Sequence, residues 1–197
     1  ENEPSWDSPF GKGRPGWHLE CSAMSEKYLG KHFDLHGGGL DLIFPHHENE
    51  IAQSVCANDN QNLSNYWLHN GYVTVDKQKM SKSLGNFITI NELKNKYNGQ
   101  VIRLSMLSSH YTQPFDWNKN ILENSKKSLE KWYEFYSDED ESIDDENLKY
   151  LLDDLNTPLM ISNINDLYKK AKSGDSLSAK QLSSSCKILG LFNQNVE

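Results

Sequence analysis

The chain has 197 residues, a hydrophobic fraction of 36% and a formal net charge of -8 at pH 7. This length can bury a core in one or two domains, and no apolar run approaches the roughly 20 residues that a membrane span requires. The acidic balance excludes a generally basic nucleic-acid binder, but much of the negative charge lies in residues 137–146, so a local basic site for phosphates stays compatible with the composition.

Cysteine usage and the N-terminus bear on the cellular compartment. The chain has three cysteines, an odd number, and its first residues lack a basic segment followed by an apolar stretch. Both features argue against a secreted domain held by disulfides. We therefore expect a cytoplasmic protein that does not associate with a membrane.

The first part of the chain predicts helix and strand in alternation. Apolar residues at helical spacing predict a helix over residues 17–29, which ends before a glycine. The segment FDLH (residues 33–36) predicts a short strand that runs into three glycines (residues 37–39), and Pro45 suits the first turn of a helix that continues to about Ala57. This order is typical of an α/β nucleotide-binding sheet, whose ligands bind at the carboxyl ends of the strands.

A second predicted strand leads into a loop rich in lysine. The segment GYVTV (residues 71–75) alternates enough to form a strand, and the loop DKQKMSKSLGN (residues 76–86) follows it. Thr89 and Glu92 then have the spacing of a capping box, which predicts the start of a helix.

From about residue 88 onward the patterns predict helices only. Apolar residues recur at steps of three and four over residues 118–136, as on one face of an amphipathic helix, and leucines over residues 148–155 continue the pattern. Thr157 and Pro158 have the identities of an N-cap and a first helical residue. We therefore predict an α/β part over residues 1–88, a helical connector over residues 89–117 and a helical bundle over residues 118–197.

The segment PHHENE (residues 45–50) carries the residue types of a metal site. On a helix, His46 and Glu50 project from one face, whereas His47 and Glu48 point elsewhere. Zn²⁺ binds imidazole, carboxylate and thiolate ligands, and Cys21 is the candidate thiolate from the preceding helix. The alternatives are a surface ion pair between the His and the Glu, and a Cys that is only a small buried residue. The absence of an HExxH arrangement argues against a metalloprotease.

Lys79 and Lys82 lie in the loop that follows the second predicted strand. Most exposed lysines are only solvated, which is the alternative here. A loop that carries two lysines and two serines can also close over a polyphosphate, with the ammonium groups as point charges and the hydroxyls as hydrogen-bond donors. Such charges act most strongly where a transition state accumulates negative charge.

Four segments resemble successive motifs of the cysteinyl-tRNA synthetases, which are class I aminoacyl-tRNA synthetases. They are GRPGWHLECSAM, FDLHGGGLDLIFPHHENEIAQS, YWLHNGYVTVDKQKMSKSLGN and DDLNTP, in the order of the family. The resemblance implies the second half of a Rossmann-type class I catalytic domain, an α/β fold, followed by an all-helical region. It also implies a middle fragment of a longer enzyme, without the family's N-terminal His-Ile-Gly-His nucleotide motif and C-terminal anticodon-binding region.

The family pattern implies a role for each matched residue. One Zn²⁺ ion would be held by Cys21, His46 and Glu50, with a further cysteine ligand from outside these 197 residues. Lys79 and Lys82 would assist catalysis on ATP. The other matched positions would bind cysteine or ATP, and these are Trp17, His36, Gly37, Gly38, Gly39, Asp41, Met80, Ser81 and Ser83.

The resemblance also implies an activity and its partners. The expected enzyme is a cysteine-tRNA ligase that uses ATP with Mg²⁺, L-cysteine and tRNA(Cys), acts as a monomer and depends on zinc for recognition of the substrate thiolate. These residues alone are not expected to aminoacylate, because the nucleotide motif is missing from them. Two alternatives stay open: a cysteine-aminosugar ligase of mycothiol synthesis, which shares the zinc and lysine-loop segments, and a non-catalytic zinc-binding or tRNA-binding fragment.

Overall fold

The chain forms two compact units, Glu1–Asn70 and Gly71–Glu197. The structure is a computed structural model, and it describes residues 3–80, 85–138 and 143–192. Within those ranges no helix combines the length and the apolar character that crossing a membrane demands. The division predicted from the sequence, with boundaries after residues 88 and 117, differs from these two units and stays a prediction.

Among its described residues, the first unit contains four strands and two α-helices. A short antiparallel hairpin comes first, and a helix then leads into a pair of parallel strands joined by a second helix. In chain order the elements are β1 (Trp6–Ser8), β2 (Gly11–Gly13), α1 (Trp17–Leu29), β3 (Phe33–Gly39), α2 (Glu48–Ala57) and β4 (Ser64–Asn70).

The parallel pair of β3 and β4 forms the frame of the first unit. The two strands run in register from Phe33 opposite Ser64 to Gly39 opposite Asn70. The predicted helix over residues 17–29 and the strand starting at residue 33 are confirmed, and the strand extends through the three glycines. Both strands therefore end at the same edge, which is the edge at which parallel sheets place their ligand-binding residues.

The helix predicted from Pro45 begins three residues later, at Glu48. Phe44 has an extended backbone (φ -136, ψ 132), which interrupts the segment Ile43–His47 just before the regular helix. This break in the helix brings two successive histidines close to one carboxylate, as described below.

The second unit combines a small sheet with six helices among its described residues. The sheet order is β6-β5-β7, with β5 antiparallel to β6 and parallel to β7. In chain order the elements are β5 (Val73–Val75), β6 (Gln78–Lys79), α3 (Ile90–Lys94), α4 (Gly99–Leu107), β7 (Phe115–Trp117), α5 (Lys119–Trp132), α6 (Asp145–Leu152), α7 (Thr157–Lys172) and α8 (Ser176–Ile188).

The prediction that only helices follow residue 88 is wrong at β7. Phe115 and Trp117 are buried and Asp116 between them is half-buried, which is the alternation of a strand. Three residues are too few for their periodicity to be recognised in the sequence. Their strand conformation depends on pairing with β5, about 40 residues earlier in the chain.

The helical core of the second unit is centred on five large side chains that are almost inaccessible to solvent. Each has at most 1% of its surface exposed, and burial of one such side chain is worth about 1.5–3 kcal/mol. They come from α5, α7, α8 and the segment after α8, and they are Trp132, Met160, Ile164, Leu182 and Leu191.

Two helix starts were predicted from capping residues, with different outcomes. The capping box is confirmed, because Thr89 Oγ1 accepts from the Glu92 amide at 3.2 Å and the Glu92 carboxylate accepts from the Thr89 amide at 2.8 Å. The prediction of Thr157 as an N-cap is wrong by one residue. Asn156 caps α7, and the Thr157 hydroxyl instead donates to the carbonyl of Leu107 at 2.7 Å.

Candidate functional site

A buried carboxylate lies at the centre of the candidate site in the first unit. Glu50, on the first turn of α2, has only 2% of its surface exposed. Its Oε1 lies 2.9 Å from Nε2 of His46, one turn earlier, and its Oε2 lies 2.8 Å from Nε2 of His36 on β3. A charge buried this deeply needs a proton, a cation or an ion pair to be tolerated.

The structure brings the three predicted metal ligands together. One ligand atom each from Cys21 on α1, His46 and Glu50 lie within 4.8 Å of one another. A second group with the same property consists of His36, His47 and Glu50, so one carboxylate belongs to both. Thiolate, imidazole and carboxylate form a donor set typical of Zn²⁺.

One unsatisfied atom supports a cation at this position. Glu50 Oε2 is buried and makes no hydrogen bond of acceptable geometry within the described residues, although His36 Nε2 is close to it. Buried polar atoms are almost always hydrogen-bonded in folded proteins. An oxygen left without a donor beside a thiol and an imidazole fits the coordination of a metal ion.

The expectation that His47 points away from this cluster is wrong. His47 is buried, one of its ring nitrogens belongs to the second ligand group, and its Nδ1 lies 2.8 Å from Nε2 of His69 on β4. The space for its ring depends on Gly38, because a Cβ at that position would lie 2.7 Å from His47 Cε1. The glycine therefore allows β3 to approach the imidazole closely.

Trp17 and His18, at the start of α1, support the His46 ring. The Trp17 ring stacks on that of His46 with centroids 4.0 Å apart and an interplanar angle of 26°. His18 Nδ1 lies 2.7 Å from His46 Nδ1, so one of these nitrogens donates a hydrogen to the other. When His46 Nδ1 is the donor, its Nε2 is left with a free lone pair directed at Glu50 and the candidate metal position.

The remaining predicted residues of β3 and the following turn lie near the same strand end. Asp41 is exposed, and its Oδ1 approaches the Gly39 backbone so closely that a Cβ there would be 2.5 Å away. At Gly37 a side chain would fit, because a Cβ there would lie at ordinary van der Waals distances, the nearest atom being 3.5 Å away. At Gly38 a side chain would clash with the buried His47 ring, whereas at Gly39 it would meet only the movable end of the exposed Asp41 side chain.

Protonation in the cluster follows from its burial. Burial raises the pKa of the Cys21 thiol, and the Glu50 carboxylate raises it further. Burial also lowers the pKa of His47, and His36 adds to that effect. A neutral thiol and a neutral imidazole are therefore favoured until a cation is present, and a cation would reverse the preference of the thiol.

The lysine loop belongs to the second unit. The backbone of Lys79 pairs with Thr74 in the β5–β6 hairpin, and Met80 packs against the core of this unit. Ser81, Lys82 and Ser83 lie outside the described residues, and so does the side chain of Lys79. Their predicted roles stay predictions.

Sequence reasoning missed three histidines of the cluster. His18 precedes Cys21 by three residues, so the two lie on the same face of α1, and this spacing is a signal that the sequence offered. His69 enters through the pairing of β4 with β3, which no local pattern indicates. His47 precedes Glu50 by three residues, a spacing that also places two side chains on one helix face, so the sequence offered this signal as well.

Comparisons with known proteins show to which family this chain is related. A family model described as the catalytic domain of class I (C) tRNA synthetases matches residues 1–127. The cysteine-tRNA ligase of Pelagibacter ubique is 52% identical over 199 residues, which covers 100% of this chain and 44% of that protein. The cysteine-tRNA ligase of Afipia carboxidovorans is 54% identical over 194 residues, which covers 98% of this chain and 42% of that protein. The chain thus spans less than half the length of these curated relatives.

A solved structure shares the fold. The LeuRS of Agrobacterium radiobacter, crystallised as a ternary complex with tRNA and LeuAMS, matches 94% of this chain and 31% of its own chain with a TM-score of 0.63. The sequence identity is 15%, so this likeness concerns the fold alone. Together with the family model, it confirms the predicted fold, an α/β part of a class I synthetase catalytic domain followed by a mainly helical region.

Proposed function

This chain belongs to the family of class I (C) tRNA synthetase catalytic domains, and from that premise we propose that the protein containing it is a cysteine-tRNA ligase. The observation that carries the proposal is the buried cluster of Cys21, His46 and Glu50, in which one carboxylate oxygen makes no hydrogen bond of acceptable geometry to any described residue. The family match supports the general chemistry, and the cluster supports recognition of cysteine as the amino acid.

The proposed reaction has two steps. A carboxylate oxygen of L-cysteine attacks the α-phosphorus of ATP bound with Mg²⁺, the bond to the bridging oxygen breaks, and pyrophosphate leaves. A hydroxyl of the 3′-terminal ribose of tRNA(Cys) then attacks the carbonyl carbon of the adenylate, loses its proton, and AMP leaves. Cysteinyl-tRNA, AMP and pyrophosphate are the products.

Discrimination against serine is the chemical problem that the cluster addresses. Cysteine and serine differ by one atom, and a pocket that relies on shape separates such close analogues poorly. Zn²⁺ bound by Cys21, His46 and Glu50 would accept the substrate thiolate as a further ligand and favour sulfur over an alcohol oxygen. The donor set and the unsatisfied Glu50 Oε2 fit this ion.

Neighbouring side chains orient these ligands. His36 lies against the second oxygen of Glu50 and restrains the rotation of the carboxylate. The Trp17 ring covers one face of His46, and its 57% exposure leaves surface available to a bound amino acid. His18 bonds to the nitrogen of His46 that faces away from Glu50. Such supporting contacts tune ligand basicity and geometry in metal sites.

The lysine loop is proposed to act on ATP. Lys79 and Lys82 would stabilise the negative charge that builds up on the departing pyrophosphate, with Met80, Ser81 and Ser83 completing the loop. Asp41 and the residues Gly37, Gly38 and Gly39 are proposed to contact the amino acid or the nucleotide. We also propose that the full-length protein is a cytoplasmic monomer.

One enzyme and one non-enzyme compete with this proposal. A cysteine-aminosugar ligase would use the same thiol recognition and the same activation by ATP, but would pass cysteine to an amine. A non-catalytic zinc-binding or tRNA-binding protein would keep the metal and lack activation. The names of the curated relatives given above favour the ligase that acts on tRNA.

Two measurements test the proposed function. The first is titration of the metal-free chain with Co²⁺, followed by L-cysteine and then L-serine. A sulfur-to-cobalt charge-transfer band that grows with cysteine and not with serine is expected. The same titration of the full-length protein decides whether an absent band reflects a ligand that this chain lacks.

The second measurement uses the full-length protein and separates the alternatives. ATP-pyrophosphate exchange that depends on cysteine, followed by esterification of tRNA(Cys), is expected. Cysteine-dependent exchange followed by transfer of cysteine to an aminosugar, and not to tRNA, would favour the aminosugar ligase. Metal binding without any exchange would favour the non-catalytic protein.

A further inference from the structure

The β5–β6 hairpin, from which the lysine loop leaves, has an unusual turn. Its two turn residues, Asp76 and Lys77, both have left-handed backbone conformations, with φ of 48° and 63°. This is the conformation of a two-residue hairpin turn, but neither residue is a glycine. A lysine in this region is uncommon and needs support from its surroundings.

That support comes from Asp116 on β7. One carboxylate oxygen, Oδ1, accepts from the backbone amide of Lys77 at 2.6 Å and from the hydroxyl of Thr74 at 2.7 Å. Asp116 thus binds both the tip of the hairpin and the strand that leads into it. Hydrogen bonds to an ionised carboxylate are stronger than those between neutral groups.

The other oxygen of the same carboxylate connects the hairpin to a helix. Asp116 Oδ2 accepts from Nδ2 of Asn118 at 3.2 Å, and Asn118 Oδ1 caps α5 by accepting from the Ile121 amide at 3.0 Å. The amide of Lys77 and the Thr74 hydroxyl hold the pKa of the Asp116 carboxyl below its usual value. The carboxylate is therefore ionised near neutral pH and ties the hairpin to the start of a core helix.

We infer that Asp116 is a positioning residue that fixes the β5–β6 hairpin, whose second strand ends at Lys79, and thereby controls the rate of cysteine activation, an inference that rests on the proposed function. Asp116 acts through the backbone of Lys77 and the side chain of Thr74. Displacement of a catalytic group by about 1 Å can reduce a rate by roughly 100-fold. Loss of Asp116 should therefore lower the rate constant of activation and leave the KM for cysteine, which is recognised in the first unit, unchanged.

The test compares three variants. Asp116→Ala removes all the bonds of this carboxylate. Asp116→Asn keeps an Oδ1 that can accept from both Lys77 and Thr74, and is the conservative variant expected to restore the hairpin. Asp175→Ala is the control, because the Asp175 carboxylate likewise accepts three hydrogen bonds, here from two backbone amides and one hydroxyl, but at the start of α8.

Two readouts are needed. In this chain, amide hydrogen exchange at Lys77 should be at least about tenfold faster in Asp116→Ala than in the wild type, and unchanged in Asp175→Ala. In the full-length protein, ATP-pyrophosphate exchange should fall at least about tenfold in kcat for Asp116→Ala, with an unchanged KM for cysteine and with recovery in Asp116→Asn.

Each contrary outcome has a definite meaning. Equal Lys77 exchange in Asp116→Ala and the wild type would overturn the hairpin role. Faster amide exchange with an unaltered activation rate, or an equal loss of rate in Asp175→Ala, would overturn the link to catalysis while the ligase function stands. An inactive full-length wild type would overturn the proposed function and, with it, this inference.

Discussion

Glu50 Oε1 and His46 Nε2 lie 2.9 Å apart, one helical turn from each other, with both residues at least 95% buried. Two lone pairs at this separation repel unless a proton or a cation lies between them. Cys21 and the second oxygen of Glu50 flank the same position, so a cation there, as proposed above, would contact all three side chains.

The first prediction concerns the charge of this carboxylate. Glu50→Gln preserves the size of the side chain but removes the negative charge and one ligand oxygen. We expect the affinity for Zn²⁺ to fall by more than about 100-fold, beyond the loss typical of residues that only support a ligand. Competition with a chromophoric chelator measures the affinity.

A control for this variant is available on the same helix. Glu48 is exposed on the first turn of α2, so Glu48→Gln changes the net charge by the same amount without touching the cluster. Its affinity for Zn²⁺ should equal that of the wild type. Equal losses in the two variants would indicate a general electrostatic effect and contradict ligation by Glu50.

Adjacent glycines on β3 provide a second prediction. A Cβ at Gly38 would approach His47 Cε1 to 2.7 Å, whereas a Cβ at Gly37 would meet its nearest atom at 3.5 Å. Gly38→Ala should therefore destabilise the first unit by about 1–3 kcal/mol, as overpacking usually does. Gly37→Ala should be neutral or slightly stabilising, because alanine restricts the unfolded chain more than glycine. Urea unfolding of both variants measures this, and similar midpoints would show that His47 moves without cost.

The third prediction concerns acid stability in the second unit. The Ser178 hydroxyl, together with the amides of Ser178 and Leu177, lowers the pKa of Asp175 below its ordinary 3.8. A lowered pKa in the folded state stabilises the protein above the unfolded value and loses that contribution as pH falls through the folded value. Asp175→Ala should therefore be less stable than the wild type at pH 7, and the difference should shrink below about pH 4. Urea unfolding at both pH values tests this, and a constant difference would contradict it.

Features that depend on neighbouring residues in the chain were predictable from the sequence. The helix over Trp17–Leu29 and the capping box of Thr89 and Glu92 follow from spacings of three and four residues, and both are confirmed. The grouping of Cys21, His46 and Glu50 followed from chemistry and family resemblance, and the structure brings their ligand atoms together.

Features that depend on distant pairing were not predictable. The strand at β7 exists because Phe115–Trp117 pairs with β5, and the role inferred for Asp116 follows only from that pairing. The approach of His36 to Glu50 likewise requires β3 and α2 to pack together. No periodicity within a short window contains this information.

The hydrogen bond between His18 and His46 supports the last prediction. Their Nδ1 atoms are 2.7 Å apart, so for a neutral His46 to offer Nε2 to a metal, its Nδ1 must carry the hydrogen and donate it to His18. His18→Ala removes the acceptor and should weaken Zn²⁺ binding by about 10- to 100-fold. His18→Asn supplies a carbonyl oxygen near the same position and should recover part of the affinity.

A second histidine of the first unit serves as the control for this variant. His32 Nδ1 bonds to the carbonyl of Asn62 and belongs to neither ligand group found among the described residues, so His32→Ala should leave the affinity for Zn²⁺ unchanged.

Nitrogen NMR of the His46 ring in the zinc-bound protein reports which nitrogen carries the hydrogen. A hydrogen on Nδ1 in the wild type, with weaker binding in His18→Ala and partial recovery in His18→Asn, is the expected pattern. Equal affinity for Zn²⁺ in His18→Ala and the wild type would contradict the prediction. It would show that stacking on Trp17 and the helix orient His46 without the hydrogen bond to His18.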